Sequence, residues 1–126
     1  MGKPPRGEAL PFDEETFAAA FKKLNADSAY RKKTKNLNCV IAFEYPGRQR
    51  VTAAIKKGEL EIIPERLHAK EDAAVAFTEK GWTELNAGDS PNKLFLMGRM
   101  RITGDVNTLA PYADAFAELG KKLAER

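Results

Sequence analysis

The sequence predicts an α+β fold, a two-layer domain in which helices lie over one face of a single twisted sheet. Residues 13–24 place apolar side chains at helical spacing, and residues 37–63 alternate them with a period of two between turn signals. Residues 72–123 then add two short strands and two helical patterns. A meander of strands flanked by helices gives one layer of each kind around a shared core.

The chain has 126 residues, enough for one domain and too few for two cores. Residues 1–10 are rich in Pro, Gly and charge and read as a flexible tail, leaving 11–126 as the domain. Asp13 is the expected N-cap of the first helix, with Phe12 and Phe17 as its hydrophobic staple. Phe17, Ala20, Phe21 and Leu24 make its buried face. A short basic helix follows over 28–33. Its cations, Arg31, Lys32, Lys33 and Lys35, read as solvated surface, with a docking patch for acidic lipid or a partner as the alternative.

From Leu37 the period becomes two. Leu37, Cys39, Ile41, Phe43 and Tyr45 share one strand face, and Pro46-Gly47 predicts a type II turn. The return strand, about 48–56, turns at Lys57-Gly58 into a third strand over 59–63 that Pro64 ends. Residues 65–72 are polar and read as a crossover. Ala73, Val75 and Phe77 mark a fourth strand. Thr78 should cap the next helix, with Phe77 and Trp82 as a second staple and Gly88 as its stop. Gly81 inside that helix costs roughly 1 kcal/mol relative to Ala, which implies close packing at that point.

Leu94-Phe95-Leu96-Met97 fits neither period, so the expectation is an irregular loop that turns some of these side chains inward. A fifth strand follows, Met100 and Ile102 facing in and Arg99, Arg101 and Thr103 facing out. A final helix, with Pro111 in its first turn, presents Leu109, Tyr112, Phe116, Leu119 and Leu123 on one face.

Composition narrows the function. A net charge of +3 is small and scattered, unlike the gathered basic face that nucleic acid requires. No apolar run reaches the length of a membrane span, the first residues lack a signal core, and Arg6 stands where acylation at Gly2 would want Ser or Thr. The last residues, Ala124-Glu125-Arg126, are not a Ser-Lys-Leu address. With a single cysteine, Cys39, the expectation is a cytoplasmic protein touching membranes only transiently.

Catalytic groupings are scarce. His68, the only histidine, sits in the polar crossover with no Ser or Cys beside it. Cys39 lies on an apolar strand face without a basic activator and reads as an inert thiol. No metal-ligand spacing and no phosphate-cradling Gly-rich loop is present. The sequence therefore predicts no enzyme, metal or cofactor. The interior is instead offered large, adaptable side chains: Phe77, Trp82, Phe95, Met97, Met100, Tyr112 and Phe116, joined by Leu85 and Ile102. They either fill the core or line a hollow.

The run Phe77-Thr78-Glu79-Lys80-Gly81-Trp82, followed by Gly88, Pro91 and Lys93-Leu94-Phe95-Leu96-Met97-Gly98-Arg99-Met100-Arg101-Ile102-Thr103-Gly104-Asp105, resembles the sterol carrier protein 2 family. Leu24-Asn25 through Tyr30 is similar to its bacterial single-domain members. The resemblance covers about 13–123 and is strongest over 72–105. Gly88-Asp89-Ser90-Pro91 and Pro111 depart from its pattern, both near the expected cavity mouth. It implies a five-stranded, mostly antiparallel sheet covered by helices, and an apolar tunnel holding a fatty acid, acyl thioester, sterol or phospholipid without a cofactor. The nine side chains just named would be the tunnel wall. Lys93 and Arg99 read first as solvated surface charges, with a contact to a lipid carboxylate or phosphate as the alternative. The chain would act as a monomer or homodimer. The alternative is an accessory module of a lipid-pathway enzyme whose interior is filled, and a third, resting only on His68 and scattered acids, is an isomerase or hydrolase acting on a hydrophobic substrate.

Overall fold

In a computed structural model, described over residues 10–110 and 113–124, the chain forms a five-stranded sheet with helices against one face. The elements run α1 (Glu14–Asn25), α2 (Ser28–Thr34), β1 (Cys39–Tyr45), β2 (Gln49–Lys56) and β3 (Glu59–Ile63). They continue as β4 (Ala73–Phe77), α3 (Glu79–Asn86), α4 (Pro91–Leu96), β5 (Met100–Gly104), α5 (Val106–Leu109) and α6 (Ala113–Ala124). The strand order is β3-β2-β1-β4-β5, with β1 and β4 parallel and every other pairing antiparallel. Residues 1–9 of the expected 1–10 tail, and the expected roles of Pro111 and Tyr112, fall outside the described residues.

Local signals set most of these elements. The Asp13 carboxylate accepts a hydrogen bond from the Thr16 amide at 2.8 Å, and the Phe12 and Phe17 rings meet edge to face at 5.2 Å. Phe17, Ala20, Phe21 and Leu24 are the buried face of α1, as their spacing predicts. Asp27 caps α2 through the Tyr30 amide, which holds its carboxyl below the usual range, and Lys122 of α6 lies 3.5 Å from it. The β2–β3 turn has both Lys57 and Gly58 at positive φ, the type I′ geometry that matches strand twist. A side chain at Gly58 would also collide with Thr34, whose carbonyl oxygen would lie 2.8 Å from its Cβ.

The β1–β2 turn is longer than the sequence suggests. Tyr45 pairs with Gln49, so Pro46, Gly47 and Arg48 form a three-residue loop in which Arg48 also takes a positive φ. The outer edge of β3 is closed by a side chain. Asn25 donates to the Leu60 carbonyl and accepts from the Leu60 amide, both at 2.9 Å, taking the place of a neighbouring strand.

Two further expectations need correction. Residues 91–96 are the short helix α4, started by Ser90 as N-cap and Pro91 in the first turn, so the greasy run is not irregular. A six-residue helix is too short to show a period, which hid it. The last helical pattern is also broken, α5 ending at Leu109 and α6 starting at Ala113.

Candidate hydrocarbon-binding site

Strand register builds the floor of the site. Phe43 lies opposite Val75, Val75 opposite Ile102, and Phe77 opposite Met100, so these five side chains share the sheet face that the helices cover. Above the β1–β3 half, the twelve-residue helix α1 lays its aromatic face directly on the sheet. Phe17 stacks on Phe43 with ring centroids 4.9 Å apart and is wholly buried. Above β4 and β5 the roof is α4, α5 and part of α6, two of them under two turns long. A cavity of about 250 Å³ remains between roof and floor.

The helices supply the remaining wall. Leu85 comes from α3, Pro91, Asn92 and Phe95 from α4, and Val106 from α5, with Ala110 beyond it. Leu119 and Gly120 come from α6, and Ile41 completes the floor. Among the described residues that line the cavity, Asn92 is the only one with a polar side chain, and none is charged. Such a wall offers water almost no hydrogen-bond partners in a space much larger than the roughly 30 Å³ of one molecule. Hydrocarbon is the occupant it suits.

Of the nine side chains read from the sequence, five meet at this cavity: Phe77, Leu85, Phe95, Met100 and Ile102. Trp82 does not reach it. Its indole stacks on Phe17 at 5.3 Å and meets Phe12 edge on at 5.0 Å, and its Nε1 donates to the Leu10 carbonyl at 2.7 Å. Asn86 completes this clasp, donating to the Trp82 carbonyl at 2.7 Å and accepting from the Leu10 amide at 3.3 Å. Met97 is half exposed at the end of α4 and absent from the wall. Tyr112 and the side chain of Phe116 lie outside the described residues. Ile41, Phe43 and Val75 were visible as strand-face residues, but only the β1–β4 pairing shows that they belong under the cavity. Asn92, Val106 and Gly120 carry no sequence signal of this role.

The two cations considered for a head group are both engaged elsewhere. Arg99 Nε lies 2.9 Å from Glu84 Oε1, and Lys93 Nζ 3.6 Å from Asp89 Oδ1. Gly81 sits so close to the start of β5 that a Cβ there would run into the Arg99 carbonyl, the close packing its presence in a helix implied. Burial pushes the Cys39 thiol up to about 11, with Asp72 and Asp105 adding to the effect, so at neutral pH it is protonated and a poor nucleophile. His68 is exposed in the crossover and takes no part in the cavity. Among the described residues no three His, Cys, Asp or Glu side chains are grouped to hold a metal ion. No helix among them is long and apolar enough to cross a membrane.

The SCP-2 sterol transfer family matches residues 17–117. The chain belongs to that family. Its fold is similar to a crystal structure of sterol carrier protein 2, with TM-score 0.75 and 25% identity over 92% of this chain and 98% of that one. A conserved hypothetical protein of Thermus thermophilus, described as possibly sterol carrier protein, gives TM-score 0.74 at 24% identity, covering 98% of this chain and 94% of the other. A UbiJ-SCP2 ubiquinone synthesis protein has the same fold at 17% identity and TM-score 0.60, over 87% of this chain and 99% of that one. No curated protein sequence matches the chain.

Proposed function

We propose that this protein binds and carries a single-chain lipid, a fatty acid or its thioester, with the hydrocarbon in the cavity and the polar end at the Asn92 rim. The observation that supports it is the wall itself, about 250 Å³ bounded, among the described residues, by apolar side chains with one amide. Each methylene moved from water into such a space contributes about 0.8 kcal/mol. Ordering the chain and immobilising the lipid take back a large part of that gain. With no charged group among the described wall residues, affinity follows chain length more than head group. The reading includes no chemical step, in keeping with the protonated Cys39 and with His68 lying outside the cavity wall.

The alternative, an accessory module with a filled interior, is the weaker reading because the space between α4 and the sheet is open. Native mass spectrometry of protein purified from its own host tests the carrier reading. A co-purifying mass released by organic solvent, and saturable micromolar binding of palmitate to the stripped protein, are the expected results. A stripped protein that binds no fatty acid, sterol or phospholipid up to millimolar concentration would remove the carrier role.

A further inference from the structure

The large apolar side chains that remain exposed are concentrated at one place. Leu96 is 83% exposed, Phe95 52%, Met97 47% and Val106 43%, and among the described residues only Leu67, on the crossover, joins them. Phe95 and Val106 also line the cavity, so this patch is the rim of its mouth. We infer that the rim formed by the end of α4 and the start of α5 is a docking surface for a phospholipid bilayer, with Leu96 and Met97 entering the boundary between head groups and acyl chains.

Three features favour a bilayer over other occupants. The four side chains expose on the order of 400 Å² in all, about half of what each partner contributes to a stable protein interface. A shallow apolar insertion can hold a protein at a membrane transiently on a patch of this size. Charge is compatible as well. The carboxylates flanking α4 are neutralised, Glu84 by Arg99 and Asp89 by Lys93, so neither brings an unpaired negative charge to the rim. The chain's own first nine residues, Met-Gly-Lys-Pro-Pro-Arg-Gly-Glu-Ala, bring no aromatic or branched aliphatic side chain that could cover the rim.

The geometry also gives the docking a purpose. A second protein seated on the rim would close the cavity, whereas a membrane places hydrocarbon at its mouth, so a lipid tail passes between the two without crossing water. This inference rests on the carrier reading above, and the test separates them. The full chain and its Leu96→Asp/Met97→Asp variant are compared in flotation with phosphatidylcholine vesicles, and in transfer of a fluorescent fatty acid between such vesicles. Affinity for the same probe is measured without vesicles, and molecular mass by sedimentation.

Both positions are exposed, so the variant should fold normally, which circular dichroism checks. The expected result is flotation lost and transfer slowed at least about tenfold, as removal of one or two inserted side chains would give, with vesicle-free affinity within about twofold of the parent. Equal transfer by parent and variant, no flotation of the parent, or a dimer that the double substitution splits would overturn the docking surface. Those three results leave the carrier reading standing. Loss of probe binding by the parent itself would remove that reading instead, and the docking surface with it.

Discussion

The two halves of the helix-covered face use the same strand pattern to opposite ends. Under α1, strands β1 to β3 present Phe43, Val51, Ile55 and Leu60 to a long amphipathic helix, and Phe17 stacks directly on Phe43. Under α4 and α5, strands β4 and β5 present Val75, Phe77, Met100 and Ile102 to helices too short to lower a continuous ridge onto them. Phe43 belongs to both halves, packed against Phe17 and facing the cavity. Alternation along a strand thus decides which side chains face inward. How closely the elements above lie on them decides whether they become a core or a wall.

Substitutions in the two halves should therefore separate stability from binding. Phe17→Ala, in the closed half, removes a wholly buried ring and should cost about 3–5 kcal/mol in urea unfolding. Ligand affinity of the fraction that stays folded should hardly change. Gly81→Ala pushes a methyl group against the Arg99 carbonyl and should cost roughly 1–3 kcal/mol, despite the better helix propensity of Ala. A stabilised Gly81→Ala protein would contradict the close approach of α3 and β5. Asp13→Ala removes the α1 cap and should cost about 1 kcal/mol. Phe95→Ala, at the half-exposed rim, should shift stability by no more than about 0.5 kcal/mol, yet weaken binding of a fatty acid several-fold.

Alkaline pH offers a further contrast. Burial raises the Cys39 thiol to about 11 and the Tyr30 hydroxyl to about 12. In both cases the folded state keeps a proton that the unfolded state gives up earlier. The associated stability is complete below the unfolded values and is lost as pH rises toward the folded ones. Unfolding free energy should fall between about pH 9 and 12, and Cys39→Ala should remove the earlier part of the decline. A flat profile in the parent would show that neither group is shielded.

What the sequence made legible follows the same division. The α1 cap, staple and buried face could be read because twelve residues hold more than three helical turns, and the meander because its alternation runs between turn residues. The SCP-2 membership was legible from the order of short motifs over 72–105. The site was legible in part. Phe77, Leu85, Phe95, Met100 and Ile102 could be assigned inward from their elements, but Trp82 could not be told from a wall residue, since its clasp on Leu10 and Asn86 joins distant parts of the chain. Met97 was misplaced with α4 itself, because inward and outward cannot be assigned until a helix is recognised.

The central claim is that the space beneath α4 receives hydrocarbon, and filling it tests that claim most directly. Val75 stands in the middle of the floor, and Val75→Trp would extend an indole into the existing void. Titration of a fluorescent fatty acid against the parent and this variant, each confirmed folded by circular dichroism, should show micromolar saturable binding by the parent and at least about tenfold weaker binding by the variant. Equal affinity in the two proteins would mean that the lipid lies elsewhere.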